Sequence, residues 1–294
     1  HHRIADSIDL YELMFGYRLY NLLLILLIMA SGVAAQRRHL RFERIGTEQG
    51  LSQSNVICQL EDTRGFMWFG TRDGLNRYDG YRFTVFKNDP GDPHSIGDNF
   101  IRALLETKSG DIWVATRGGV SRFNRTTESF TRYRRDPANP NSLSNDFATS
   151  LFEDSRGNIW IGTEDGLNVF NPHTQRFTRY MHLADDQRSL SDGYVRHVFE
   201  DSRGNLWAGT FRGGLNLLNR TTGAFMHFQH EETDSRSISN NNVYTIFEDG
   251  KGRLWVGTNG GGLEWFDTQN WVFHHYKHSE SDKNTVGSNS IYAI

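Results

Sequence analysis

The sequence predicts an all-β fold, a β-propeller of four-stranded blades, on three observations. A tryptophan recurs every 45–48 residues, at Trp68, Trp113, Trp160, Trp207 and Trp255. Each sits in a near-copy of one string, such as DSRGNIWIGTEDGLNVFN, with glycine and aspartate at fixed places. Each unit breaks into four short runs rich in apolar residues, separated by turn residues. A period of this length with four strands is the size of a propeller blade. A β-solenoid would use a shorter repeat, and helical repeats lack this density of turns.

The third unit shows the reading strand by strand. Strand a is expected at Ala148–Glu153 and strand b at Ile159–Thr163, with Asp154 to Asn158 turning the chain between them. Strand c is expected at Leu167–Asn171 and strand d at Arg176–Tyr180. Gly and Asp recur at the turns because those positions need positive φ or side-chain bonds to the backbone. Each unit ends in two aromatics three residues apart, such as Phe130/Tyr133 and Phe177/Tyr180. The repeated Trp is read as the aromatic that fills the wedge between neighbouring blades.

The ends of the array are also informative. Phe42–Ile45 followed by GTEQGLSQSNV matches the close of a unit, so it is expected as an orphan outer strand. HSESDKNTVGSNSIYAI matches the opening of a sixth unit and stops within strand a. Five complete blades, an orphan strand and the start of a sixth are read as a fragment of a seven-bladed ring. Ahead of the array, Met14 opens a stretch with Arg18, the apolar run Leu22 to Ala30, and small residues at Val33-Ala34-Ala35. That is the pattern of a secretory signal peptide, or of a signal anchor, over 14–35. Residues 1–13 are then an upstream segment and 36–294 the propeller.

Composition narrows the function. The net charge is −3 with both signs mixed and no basic stripe, so nucleic acid is not an expected partner. Cys58 is the single cysteine, which rules out an internal disulfide and reads as a small packing residue. The acidic pairs Glu61-Asp62, Glu153-Asp154, Glu200-Asp201 and Glu248-Asp249 recur at one place in each unit. Symmetry keeps them apart around the ring, so they read as turn chemistry rather than as a converging site. His274, His275 and His278 lie on an outer strand and beyond it, where neighbours face opposite sides, so no metal is expected. His197 stands on an innermost strand where other units have Cys58, Ala103, Ser150 and Thr245, and it reads as a packed, hydrogen-bonded residue. No nucleophile motif, phosphate loop or metal-ligand spacing appears, so neither catalytic residues nor a cofactor are expected.

The string G-x-[IL]-W-[IV]-G-T-x-x-G-L-x-x-[FY]-[DN], preceded by LSxNxVxxIxED, resembles the two-component regulator propeller repeat, five times over within residues 41–294. Unit two departs mildly, with Ala115 for Gly and Val120 for Leu. The resemblance implies an extracytoplasmic sensor of a bacterial signalling protein, tethered to the inner membrane through a C-terminal region not in this chain. It implies a histidine kinase output, with a diguanylate cyclase as the other option, and a carbohydrate among the candidate ligands. The expected partners are a small polar ligand and a second copy of the full-length protein. A secreted lyase or hydrolase, or an interaction scaffold, is the alternative reading.

The two faces of such a ring differ. The a–b turns are near-copies (DTRG, DSRG, DSRG, DGKG), whereas the b–c turns vary. The b–c turns open on the same face as the d–a links, so that face is expected to bind. Its candidates are Arg72, Asp73, Arg117, Glu164, Asp165, Arg212 and Asn259 from the turns, with Arg102, Arg196 and Tyr244 at the starts of strand a.

Overall fold

The computed structural model describes residue 42 and residues 44–294. The signal segment and residues 1–13 lie outside the described residues, as do Arg41 and Glu43. Residues 45–294 form five four-stranded antiparallel sheets, each with its strands in chain order. Blade 1 holds β1 (Val56–Glu61), β2 (Met67–Thr71), β3 (Gly74–Tyr78) and β4 (Phe83–Phe86). Blade 2 holds β5 (Ile101–Glu106), β6 (Ile112–Thr116), β7 (Gly119–Asn124) and β8 (Ser129–Tyr133). Blade 3 holds β9 (Ala148–Glu153), β10 (Ile159–Thr163), β11 (Gly166–Asn171) and β12 (Arg176–Tyr180). Blade 4 holds β13 (Val195–Glu200), β14 (Leu206–Thr210), β15 (Leu215–Leu218) and β16 (Phe225–Phe228). Blade 5 holds β17 (Val243–Glu248), β18 (Leu254–Thr258), β19 (Leu263–Asp267) and β20 (Val272–Tyr276). The first strands of successive blades touch one another, which makes them the innermost. Unit three therefore folds as expected, with strand c starting one residue early.

The wedge role of tryptophan holds, and its cover comes from the following blade. Trp68 packs with Ile101, Ile112, Val114 and Phe123 of blade 2. Trp113, Trp160 and Trp207 repeat this against blades 3, 4 and 5, and all four are buried. Trp255 has no complete blade after it and stays half-buried. Its indole Nε1–H, like those of Trp68, Trp160 and Trp207, donates to the aspartate that ends strand a, at 2.8–3.0 Å.

The blades touch most closely where strand b carries glycine. A Cβ on Gly70 would lie 2.6 Å from Ile101 Cγ2 of the next blade. Gly209 would meet Val243 and Gly257 would meet Ile291 in the same way. Blade 2 has Ala115 at this place, and the facing residue shrinks to match: Ala148 stands where other blades have Ile101, Val195, Val243 and Ile291. The mild departure of unit two is thus one half of a compensated pair. Ile291 also donates its N–H to Thr258 O at 2.9 Å, and Ser290 bridges Asn259, so the expected sixth unit begins against blade 5. The described residues of the expected outer strand Phe42–Ile45 form no strand, since none among the described residues offers them a partner.

The acidic pairs do more than shape turns. Each aspartate does cap its own a–b turn: Asp154 accepts from the backbone of Arg156 and Asn158 as well as from Trp160. The glutamate before it reaches the preceding blade. Glu106, Glu153, Glu200 and Glu248 accept from the backbone N–H of Thr63, Lys108, Ser155 and Ser202 at 2.5–2.7 Å. Two arginines lock these junctions. Arg125 bridges Asp62 and Glu106, and Arg220 bridges Asp154 and Glu200, at 2.6–2.8 Å. Burial pushes the Asp154 carboxyl up, but bonds from Trp160, Asn158 and Arg220 outweigh it, leaving it below the usual carboxylate range.

Two expectations follow. Ala148→Val should cost about 1–3 kcal/mol by overpacking against Ala115, and adding Ala115→Gly should recover most of it; urea melts of the two single variants and the double give the coupling. Arg220→Ala strands the fully buried Asp154 carboxylate and should cost about 3 kcal/mol, while Arg188→Ala, at an exposed pair with Asp186, should change stability by less than about 0.5 kcal/mol; equal losses would contradict the clamp.

Candidate functional site

The links and the b–c turns meet on one face, as expected. The residue just before strand a is tied from both sides. Its N–H bonds to a side chain two residues earlier: Phe100 to Asp98, Phe147 to Asn145 and Tyr194 to Asp192, at 2.7–2.9 Å. Its carbonyl accepts from the b–c turn of the same blade, from Arg117, Glu164 and Phe211 respectively. The next link in turn bonds each turn glycine, as Asn99 O does Gly74 N at 2.8 Å. Gly74 has φ +118, a conformation L side chains rarely adopt, so the turn is fixed by the backbone. The b–c turns vary in side chain, and by one extra residue in blades 4 and 5, around a shared set of backbone bonds.

These turns and links carry aromatic rings and arginines side by side. Around Phe100 stand Arg72 at 5.5 Å, Arg102 at 5.8 Å and Arg117 at 5.1 Å from the ring centre. Arg117 and Arg102 also face Phe147, at 5.1 and 6.0 Å. Two blades further round from Arg102, Arg196 lies among Tyr194, Phe211 and Tyr244 at 4.8, 4.7 and 4.4 Å. Arg212 covers Phe211 at 5.2 Å, and Tyr292 packs on Tyr244 at 4.7 Å.

Six of the candidates read from sequence are therefore brought into two groups: Arg72, Arg102 and Arg117 in one, Arg196, Arg212 and Tyr244 in the other. Glu164 and Asp165 stand exposed on the b–c turn of blade 3, between the blades that carry the two groups. Asp73 is held by Lys87 at 2.8 Å. Asn259 accepts from Ser290 Oγ at 2.9 Å and donates its N–H to Asn242 O, which gives it a structural duty. The sequence reading missed Phe100, Phe147, Tyr194 and Tyr292. The signal for the first three was a variable column of the repeat, filled by Asn55, Phe100, Phe147, Tyr194, Asn242 and Ser290, in which three successive units are aromatic; Tyr292 stands in the column of Arg102, Arg196 and Tyr244. On the opposite face a cleft of about 450 Å³ is lined by Thr63, Ser109, Arg122 and Arg125, but Arg125 is spent on Asp62 and Glu106.

Two-component regulator propeller repeats match at residues 50–73, 95–118, 142–165, 189–212 and 237–260. The chain belongs to the two-component regulator propeller repeat family. The structure is similar to the extracellular domain of a protein from B. thetaiotaomicron described as a hybrid two component system, with TM-score 0.69 and 28% identity over 82% of this chain and 33% of that one. A histidine kinase of Formosa agariphila is 43% identical over 68 residues, which are 23% of this chain and 5% of the kinase. Virginiamycin B lyase from Staphylococcus aureus shares the fold alone, with TM-score 0.56 at 14% identity over 74% of this chain and 68% of the lyase. The chain spans about a third of the extracellular domain it matches and a small part of the kinase.

The remaining candidates have partners inside this propeller. His274 stacks on Trp265 at 4.4 Å, His275 bonds Glu264 and Ser235 O, and His278 bonds Val286 O at 2.8 Å, so the three rings serve separate contacts. Burial pushes the Cys58 thiol up to about 12, which suppresses the reactive thiolate. His197 accepts from Ile246 N–H of the next blade at 3.3 Å, the packed role expected of it. Burial lowers its pKa to about 4.

The His197 shift has a sign that can be measured. An unfolded histidine takes up its proton near pH ~6.5, the native ring only near pH 4. The stability of the neutral ring is complete above the unfolded value and is lost as pH falls toward the folded one. The loss between them is at most about 3 kcal/mol, His197 being half-buried. Urea melts of wild type and His197→Gln across pH 7 to 4 should diverge in slope by this amount, the variant being flatter; parallel curves would show that the ring titrates as if free.

Proposed function

We propose that this chain is the extracytoplasmic sensing part of a bacterial membrane signalling protein, and that it binds a small polar ligand of the carbohydrate kind on the link and b–c face. The observation that carries the reading is the asymmetry of the ring. The a–b face repeats one turn pattern in four of the five blades and spends its glutamates, Arg125 and Arg220 on blade junctions. The link face sets different charged and aromatic groups on a shared set of backbone bonds, which is what selective recognition needs and packing does not.

The likeness to the extracellular domain of a hybrid two component system and to a short stretch of a histidine kinase supports a kinase output, with a cyclase as the other option. Tethering to the inner membrane through a C-terminal region, and pairing of two copies, complete the proposal. Ligand occupancy at the link face would then alter how two propellers meet, and the membrane segment would carry the change inward.

The test uses the full-length protein in membranes. Arg72→Ala, Arg117→Ala and Arg212→Ala together should abolish ligand-dependent autophosphorylation while leaving the thermal transition within a few degrees of wild type. A response that survives this triple change, yet disappears when Arg64, Arg156 and Arg203 of the a–b turns are altered, would place recognition on the opposite face.

A further inference from the structure

Several arginines of this ring are spent on the protein itself, while Arg64, Arg135, Arg156 and Arg176 are exposed and unpaired among the described residues. Arg125 and Arg220 each hold two carboxylates. Arg132 and Arg179 donate to link carbonyls at Ser95 and Ser142, and Arg134 donates to Gly97 and Gly118. The five arginines of the link face behave differently. Among the described residues, the side chains of Arg72, Arg102, Arg117, Arg196 and Arg212 are in no ion pair. Their guanidinium groups also donate no hydrogen bond to the protein, and the Nε atoms of Arg102 and Arg196 are buried without any partner.

Aromatic faces hold these guanidinium planes in place, with Arg196 among three rings at 4.4–4.8 Å. A ring attracts the cation through its quadrupole but offers no lone pair for the N–H donors. The result is a set of oriented donor forks with positive charge and no acceptor, which is costly unless something else supplies the acceptors. A guanidinium fork matches two oxygens of one carboxylate or sulfate. The acids on this face do not fill that need: Asp73 is taken by Lys87, and Glu164 and Asp165 make no ion pair among the described residues.

Resting on the carbohydrate reading above, we infer that the ligand is an acidic oligosaccharide, whose carboxylate or sulfate groups are held by Arg102 and Arg196 and whose sugar faces lie on the adjoining rings. The two arginine groups belong to strand-a places on blades 2 and 4, with Thr149 at the corresponding place of blade 3 between them. Two stations on one face suit an oligomer with spaced acid groups better than a single small acid. The exposed Glu164 and Asp165 on the intervening blade disfavour a densely charged chain.

The experiment is calorimetric titration of the full-length protein with a chondroitin sulfate tetrasaccharide, with oligogalacturonate, with its fully methyl-esterified form and with maltotetraose. An acidic oligosaccharide is expected to bind at least ten-fold more tightly than the neutral ones, and to weaken steeply with added salt. Arg102→Met with Arg196→Met, which keeps the stacked alkyl stem, should reduce that binding at least ten-fold, while an Arg188→Met control does not. Should the double variant fail to fold, the salt dependence of the wild-type affinity decides alone. Neutral and acidic sugars binding equally, or acidic binding indifferent to the double change or to salt, would overturn the charge assignment and leave carbohydrate sensing standing. Arginine-dependent binding of inorganic sulfate with no binding of any oligosaccharide would overturn the carbohydrate reading and keep the anion site. No binding of any of these anions would overturn the inference itself.

Discussion

Everything in this ring depends on the fact that no blade can bury its tryptophan alone: a strand-d aromatic of the same blade packs on the ring, and the next blade completes the cover. Every indole but that of Trp113 is anchored at home by a bond to the aspartate ending strand a, and the first four are buried abroad against residues of the next blade. A four-stranded sheet alone would leave that large apolar surface in water. Stability therefore sits at the junctions as much as within the sheets. Trp255 displays the rule from the other side, half-buried where only the opening of a further unit follows.

The junctions combine three kinds of contact at different radii. Near the axis, strand-b glycines let the backbones come close, so that Ile101, Val195 and Val243 nest against the preceding blade. At mid-radius the tryptophan wedge excludes water. On the a–b face the glutamates and the two arginine clamps tie adjacent turns by charge-assisted bonds. Because these charges are consumed in holding blades together, the a–b turns stay close to one pattern, with blade 2 departing from it at Thr107 to Gly110. The link face has no such duty; its backbone bonds do the holding, and its side chains are released for other chemistry.

This division explains what could be read from the sequence. Strand positions were legible because period, turn glycines and alternation all pointed one way, as Ala148–Glu153 and Ile159–Thr163 show. The face on which side chains gather was legible from which turns vary, and Arg72, Arg102 and Arg117 do converge on one ring. The reach of Glu200 to Ser155 was not legible, because a unit read alone cannot show a bond to its neighbour. Phe100, Phe147 and Tyr194 were hidden for a related reason. Next to a strand of mostly apolar residues an aromatic reads as core, and only the link geometry sets these three beside arginine.

The matched Ala115 and Ala148 have a consequence for how such a gene can change. Tandem repeats gain and lose units by unequal recombination, which joins the front of one copy to the back of another. Loss of the unit containing Ala148 would set Ala115 against Val195, a side chain suited to glycine, and the new junction would be overfilled. Loss of the unit containing Val195 would set Gly162 against Val243, which fits as Gly209 does now. A single methyl group in blade 2 thus makes one crossover costly and leaves the next free, so the order of blades is under selection even where their folds are interchangeable.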